Sequence, residues 1–477
     1  MLTYSFSDIG SQSLYEYLYK CIKQDILNDV LAAGDRLPSK RSFAKHLNVS
    51  TITIENAYAQ LLAEGYIYSI PKKGYYIADI ANKLTNSDFT SPALPTSQAL
   101  QTLCFADFTS NQTHPDTFPF ALWTKVMREV IADSRPALME NSPGVGILPL
   151  REAICGHLKQ FRGMEVSPEQ IVVGAGTDYL YGLLIQLLGY DKVYGMEEPG
   201  YLKISQVYQS HHVSCLHIPL DSQGICIDRL EAAGADIVHI SPSHHFPTGI
   251  ITPISRRYEL LGWASASDSR YIIEDDYDCE FRFMGKPIPS LQSIDVMDKV
   301  IYMNTFTKTL ASTIRISYMV LPKHLMARFQ QNLGFYACTV SNFEQYTLTR
   351  FIQEGHFERH INRMRNFYQN QRDLLLHCLK NSPASPHITI TEEDAGLHFL
   401  MHVALSASDE IILQKAQSQG LRLACLSQYY HQDSPPEEHT FVMNYSAIHP
   451  EHITEAIQRL CQIFMENSEN ADDTHDR

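Results

Sequence analysis

Over residues 11–31 the apolar positions Leu14, Tyr17, Leu18, Cys21 and Ile22 recur at three- and four-residue steps, the repeat of a helix with one buried face. Gly34-Asp35-Arg36-Leu37-Pro38 stops it, and Ser39 is placed to cap a short second helix through Leu47. Asn48-Val49 turns the chain. Ser50 then caps a third helix, on which Ile54, Ala57, Tyr58, Leu61 and Leu62 form one apolar stripe ended by Gly65. Residues 66–70 and 75–77 read as two short strands around the tip Pro71-Lys72-Lys73-Gly74. Periodicity fades over 81–104, where Ser, Thr, Asn and Pro give linker composition. From about 105 onward short apolar runs (171–173, 236–241, 271–274, 300–303) alternate with helical patterns. That alternation predicts an α/β domain around a mainly parallel sheet. Beyond about 345 the pattern turns helical and then mixed. The expected division is a head, 1–80, a linker, 81–104, and a body, 105–477, whose large part runs to about 345 with a smaller C-terminal part after it.

Composition adds limits. The 477 residues are 44% hydrophobic and 19% charged, enough for a sizeable core and unlike a disordered chain. The net charge of −15 excludes a uniformly basic nucleic-acid coat. It does not exclude a local one. Residues 1–80 hold eight basic and eight acidic side chains, so the body carries the whole −15. Within 36–73, six Lys and Arg face only Glu55 and Glu64, a local +4. Local charge decides which surface approaches phosphate. No apolar run reaches the length of a membrane span, and the first six residues lack the charged and apolar regions of a signal peptide. Ten cysteines without a CxxC pair argue against a zinc site or disulfide framework and for a reducing cytoplasm. No metal is expected.

Two short helices joined by a tight turn and followed by a basic-tipped hairpin form a winged helix-turn-helix. In that geometry the second helix enters the major groove and the wing touches backbone or minor groove. The stripe on 50–64 packs inward and leaves Ser50, Thr51, Thr53 and Asn56 outside. The DNA-binding candidates are Ser39, Lys40, Arg41, Ser50, Thr51, Thr53, Lys72 and Lys73, with the four basic residues placed where phosphates pass. The segment GDRLPSKRSFAKHLNVSTITIENAYAQLLAEGYIYSIPKKGYYI resembles the GntR-type winged helix-turn-helix nearly end to end. One position departs. That family usually has Arg after the Ser that opens the recognition helix, and here Thr51 stands there. Arg reads guanine through two hydrogen bonds, whereas Thr offers a hydroxyl and a methyl. DNA binding is implied; the operator is not inherited.

Three clusters in the body carry chemistry. Gly174-Ala175-Gly176-Thr177 follows an apolar run and opens a helical one, where backbone N–H groups and a helix N-terminus can cradle a phosphate. Glu274-Asp275-Asp276-Tyr277-Asp278 ends another apolar run. A carboxylate there can keep a pyridine nitrogen protonated and make the ring an electron sink. Thr305-Phe306-Thr307-Lys308-Thr309 follows a third run, with Arg315 beyond it. A lysine in that loop can form a Schiff base with an aldehyde cofactor. Each cluster alone has an ordinary reading: a glycine turn, an acidic strand end, a solvated lysine. Their order, each at a strand end, is more specific, and Ser241-Pro242-Ser243-His244-His245-Phe246-Pro247-Thr248-Gly249 adds a fourth element.

The set resembles fold-type-I aminotransferases from about 105 to 465, and with the GntR-type head it has the layout of MocR-type transcriptional regulators. The resemblance implies a pyridoxal 5'-phosphate-binding body in a head-to-tail homodimer. It makes Lys308 the Schiff-base lysine, pairs Asp275 with the pyridine nitrogen and Tyr277 with the phenolic oxygen, and stacks Tyr201 on the ring. It offers Ala175, Gly176, Thr177, Thr305, Thr307 and Arg315 to the phosphate. His245 departs from the Gln often found in the family, and His244 reads equally as a core histidine.

Transamination also needs a clamp for the substrate carboxylate, usually an Arg making two parallel hydrogen bonds. The matching run Phe441-Val442-Met443-Asn444-Tyr445-Ser446 has none, and Gln428 offers no charge. The alternation in Leu421-Arg422-Leu423 suits a solvent-facing Arg422 at least as well as a clamp. Without a fixed clamp, positioning suffers, and positioning is a large share of the barrier. The expected function is a cytoplasmic regulator that binds an operator in double-stranded DNA and senses pyridoxal phosphate or its adduct with an amino acid or amine. Vitamin B6 or amino-acid metabolism is the expected target. A working aminotransferase with an accessory head, and a regulator with a purely structural cofactor, are the alternatives.

Overall fold

The computed structural model describes residues 2–6, 12–79, 104–283, 288–431 and 438–468, and the chain divides into two compact units, 1–100 and 101–477. The expected linker lies, up to residue 103, outside the described residues.

The first unit holds α1 (Leu14–Leu27), α2 (Lys40–Leu47), α3 (Thr51–Ala63) and a hairpin of β1 (Ile67–Ile70) and β2 (Gly74–Ile77). Both expected caps form. Ser39 Oγ accepts from the Ser42 N–H at 3.3 Å, and Ser50 Oγ accepts from the Thr53 N–H at 3.1 Å. Each supplies one of the first-turn donors with the acceptor that the helix cannot. Asn48 turns the chain between them at φ 57°, a left-handed conformation that Asn tolerates better than most residues. Leu18 and Ile22 of α1 meet Phe43 of α2 and Ile54, Tyr58 and Leu61 of α3 in one core. The Tyr58 hydroxyl donates to the Pro38 carbonyl at 3.1 Å, which ties α3 to the start of α2. Leu62, expected in the stripe, is instead 41% exposed. Positions 54, 57, 58 and 61 complete the buried face, and 62 falls beyond its edge.

In the second unit the strands are β3 (Ala106–Asp107), β4 (Ile171–Gly174), β5 (Val193–Glu198), β6 (Ser214–Asp221), β7 (Gly224–Ile225), β8 (Ile237–Ile240), β9 (Tyr271–Asp275), β10 (Val300–Thr305), β11 (Ser317–Val320), β12 (Ile388–Thr391), β13 (His398–Val403), β14 (Leu421–Arg422) and β15 (Thr440–Asn444). Eight of them form one sheet in the order β4-β11-β10-β9-β8-β5-β6-β7. The expected parallel pattern holds from β10 to β6, while β11 and β7 run against their neighbours. The inner strands β8 and β10 are buried along their whole length, so they read as continuous apolar runs. A three-stranded sheet, β12-β13-β15, and the helices His356–Lys380 and Ile453–Met465 build a separate core near the C-terminus. Ala106 and Phe108 join that core, and β3 pairs with β14. The start of the body therefore packs with its end. Because β4, β5, β8, β9 and β10 point the same way, Gly174, Glu198, Ile240, Asp275 and Thr305 end at one edge of the sheet, where open α/β sheets place ligands.

Candidate DNA-reading and cofactor sites

On the head, Thr51, Ile52 and Asn56 are exposed on α3, and Arg41, Lys72 and Lys73 are exposed around it and on the hairpin tip. Ser39 and Ser50 spend their hydroxyls on capping, and Thr53 shares its own with Ser50 at 2.8 Å. Lys40 departs from its expected surroundings. Its ammonium lies 2.6 Å from the Glu55 carboxylate on α3 and 5.5 Å from the centre of the Tyr75 ring. Sequence reasoning missed Ile52, which is 68% exposed two residues after the cap. An apolar side chain there suits a thymine methyl in the major groove. Its spacing from Ser50 was the available signal, since it falls off the buried stripe.

At the sheet edge of the body, a cavity of about 550 Å³ is lined by Thr177, Tyr201, Asp275, Tyr277, Thr305, Thr307, Lys308 and Arg315 among others. The carboxylates of 274–278 separate by role. Glu274 accepts from the N–H groups of Leu291 and Gln292 at 2.8 and 2.9 Å and lies 3.7 Å from the buried Arg257. Asp276 pairs with Arg162 at 3.0 Å and accepts from the Tyr302 hydroxyl at 2.7 Å. Asp278 meets His244 Nδ1 at 2.8 Å, while His244 Nε2 is buried without a hydrogen-bond partner. Alternation along β9 thus leaves Asp275 facing the cavity. Its Oδ2 accepts from the Tyr181 hydroxyl at 2.5 Å, while its Oδ1 is buried without a hydrogen-bond partner. An unmatched buried carboxylate oxygen is costly, and a protonated pyridine nitrogen is a donor of the right kind for it.

The Lys308 ammonium donates to the Asn111 carbonyl. Burial pushes its pKa down to about 8, against the pull of Asp278 in the other direction. Such an amine is neutral often enough near pH 7 to attack a carbonyl carbon. Burial, with Asp278 and Asp275 nearby, holds the Tyr277 hydroxyl well above its usual range, so it stays a donor. Tyr201 stands immediately before the helix Leu202–Ser210 and is 48% exposed at the rim. Thr305 Oγ accepts from the Thr307 N–H at 3.2 Å and from the Ser317 hydroxyl at 2.8 Å, fixing the loop that carries Lys308.

Ala175 and Gly176 are not among the residues that line the cavity. The Ala175 N–H goes to Thr339 Oγ1 at 2.9 Å and the Gly176 N–H to the Gly174 carbonyl at 2.9 Å. Gly176 sits at φ 94°, and a Cβ there would collide with the Arg315 guanidinium. Its contribution is room for Arg315 to approach the N-terminus of the helix Thr177–Leu188. Arg315 and Lys203 both bond Asp178, at 3.2 and 2.6 Å. Together with Thr177 and Thr307 these groups suit a phosphate.

Tyr181, His239, Glu197, Lys203 and Tyr429 also line the cavity and were not singled out from sequence. Burial lifts the Glu197 carboxyl to about 8, against the bond it accepts from the Ser241 N–H. Burial also holds His245 down to about 3. The two face each other at 3.5 Å, and His245 shares its other nitrogen with Thr248 at 2.7 Å. Arg422 turns away, pairing with Asp107 at 3.0 Å. The cations lining the cavity, among the described residues, are Lys203, Lys308 and Arg315.

An aminotransferase-like body with a helix-turn-helix head is the class that fold and site define. Residues 14–77 match the family model for bacterial regulatory proteins of the gntR family. The chain is 36% identical to the HTH-type transcriptional regulator YdeL of Bacillus subtilis, covering 94% of this chain and 96% of that one. It is 30% identical to the probable rhizopine catabolism regulatory protein MocR of Rhizobium meliloti, covering 95% and 94%. An archaeal alanine:glyoxylate aminotransferase superposes with a TM-score of 0.68 at 24% identity, over 76% of this chain and 91% of that one, which shows the fold of the body. The chain belongs to the MocR-type family of helix-turn-helix transcriptional regulators. No helix among the described residues is long and apolar enough to cross a membrane.

Proposed function

We propose that this regulator binds pyridoxal 5'-phosphate in the body cavity, reads it or its amino-acid or amine adduct as a signal, and turns over little or not at all. The observation that supports this most directly is the pairing of an unmatched buried Asp275 oxygen with a low-pKa Lys308 in a cavity whose remaining lining cations, Lys203 and Arg315, both lean on Asp178. The cofactor, when bound, supplies an electron-withdrawing ring and an aldehyde. Asp275 would hold the ring nitrogen, Tyr277 its phenolic oxygen, Tyr201 its face, Thr177, Thr307 and Arg315 its phosphate, and Lys308 its aldehyde carbon. Among the described residues the one lining cation not assigned there, Lys203, is held by Asp178 at 2.6 Å, so an amine can enter without its carboxylate being clamped for efficient proton transfer. The working form is a head-to-tail homodimer acting on DNA in the cytoplasm, where the ligand state of the body biases the arrangement of two heads. Genes of vitamin B6 or amino-acid metabolism are the targets this chemistry favours.

The test is binding of the full-length protein to its own upstream DNA with and without pyridoxal phosphate, beside product analysis over a panel of amino and keto acids. The expected result is a shift in DNA affinity of roughly 1–3 kcal/mol, the usual allosteric range, with no sustained turnover. Multiple turnovers at about 1 per second or faster, with DNA binding indifferent to the cofactor, would establish the enzyme reading instead. Cofactor binding with neither effect would establish a structural role.

A further inference from the structure

Outside the cofactor cavity, three residues far apart in sequence converge on one spot. Glu198 closes β5, His217 lies on the neighbouring β6, and His431 follows the short turn Leu426–Tyr429. Glu198 Oε2 is 3.3 Å from His217 Nδ1 and 3.0 Å from His431 Nδ1. All three ligating atoms fall within 4.8 Å of one another. The imidazole rings are stacked, nearly parallel with centroids 3.8 Å apart, so one ring must turn about its Cβ–Cγ bond for both Nδ1 lone pairs to aim at one point. The His431 N–H donates to Glu198 Oε1 at 2.6 Å and so fixes the carboxylate's orientation. His217 Nδ1 is buried and has no hydrogen-bond partner.

We propose that Glu198, His217 and His431 bind a divalent transition-metal ion of the zinc, cobalt or nickel kind. Two ligand atoms each about 2.1 Å from a metal at a tetrahedral angle sit about 3.4 Å apart, close to the two separations observed here. Two imidazoles and one carboxylate select borderline transition ions over magnesium or calcium. Three protein ligands leave a fourth position for water. The other histidine–carboxylate group, His114, Asp116 and His449, is a weaker candidate. Its Asp116 and His449 are both exposed, whereas none of Glu198, His217 and His431 is.

The location gives the ion a consequence. The Gly200 N–H donates to the Tyr429 carbonyl at 3.1 Å, next to the Glu198–His431 contact. Those two links stitch the 426–431 segment to the 198–201 turn, and Tyr429 and Tyr201 both line the cofactor cavity. A bound ion would fasten that rim and slow passage through it. The absence of metal-ligand spacing in the sequence did not forbid this site, because strand pairing and a C-terminal turn assemble it.

The experiment uses the full-length protein, stripped with a chelator and titrated with cobalt(II) in the absence of pyridoxal phosphate, so its outcome is independent of the cofactor reading. Expected are one equivalent bound per chain and visible ligand-field bands. His217→Asn and Glu198→Gln should each weaken binding by more than about tenfold, while His449→Asn leaves it unchanged. Should a variant fail to fold by circular dichroism, copper(II) loading of the unaltered protein decides. Its paramagnetic resonance should show coupling to two imidazole nitrogens. No retained metal, retention that ignores His217 and Glu198, binding lost with His449, or a nitrogen count other than two overturns the proposal.

Discussion

Every candidate DNA contact on the head lies between Ser39 and Lys73, on helices and a hairpin that follow one another in the chain. The body draws its cavity wall from residues as distant as Asn111 and Tyr429. The head relies on local rules: a cap, a left-handed Asn, an apolar stripe and a turn. The body instead relies on strands running in one direction, which bring their C-terminal ends to one edge. The head therefore presents groups that retain contact with water, whereas the body removes groups from water and changes their chemistry. Lys73 stays exposed at the tip of the wing, while burial holds the Lys308 amine down to about 8.

The largest effect should come from the body's amine. Lys308→Ala should abolish covalent capture of pyridoxal phosphate, read as lost visible absorbance and as no borohydride-fixed cofactor on the protein. In the unaltered protein only the neutral amine attacks, so capture should rise about tenfold per pH unit below the Lys308 value and level off above it. A rise that continues past about pH 10, the range of an unperturbed lysine, would point to an ordinary surface lysine. Capture surviving in Lys308→Ala would reassign the residue.

The same contrast explains what could be read in advance. The second and third helices, both serine caps and the hairpin tip were legible, because each depends on neighbours within a few positions; the first helix, read as 11–31, runs only over Leu14–Leu27. The strands ending at Asp275 and Thr305 were legible as apolar runs with chemistry at their ends. The partners that sort the acidic run were not: Arg162 and Arg257, which claim Asp276 and Glu274, lie in distant helices. Nor did sequence show that Gly176 lies against Arg315, or that Tyr181 bonds Asp275. Lys40 looked like its basic neighbours until α3 brought Glu55 beside it.

Burial makes the second effect large. Arg162 and Asp276 are both shielded from water, at 3.0 Å. Arg162→Ala would strand a buried carboxylate, and breaking such pairs costs about 3–5 kcal/mol. The chain has two tryptophans, Trp123 and Trp263, both in the second unit. Denaturant unfolding followed by tryptophan fluorescence therefore reports on the body. A loss under about 1 kcal/mol would mean that Asp276 is adequately held by Tyr302, as a surface pair would be by water.

On the head the expected energies shrink, because contacts form at a wet surface. Thr51→Ala and Ile52→Ala remove the exposed groups that open α3. Each should relax discrimination at one or two base pairs of the operator, by about 1–3 kcal/mol at the affected position. Competition between the native site and single-base variants measures this. A uniform loss across all variants would make these residues packing or backbone contacts instead.

The smallest effect separates two lysines that look alike in sequence. Removing one lysine–phosphate interaction should make the dependence of log affinity on log salt shallower by about 0.9. Lys73 stands exposed at the hairpin tip, so Lys73→Ala should show that change and weaken all DNA sequences alike. Lys40 is held by Glu55 at 2.6 Å, with its ammonium over Tyr75, and part of its charge is already answered within the head. Lys40→Ala should therefore alter the salt slope less than Lys73→Ala. Glu55→Gln supplies the converse, since it frees Lys40 without removing it and should steepen the slope. If Lys40→Ala and Lys73→Ala move the slope equally and Glu55→Gln leaves it unchanged, the Glu55 pair opens at no cost on the DNA, and the two lysines act as the plain sequence pattern suggests.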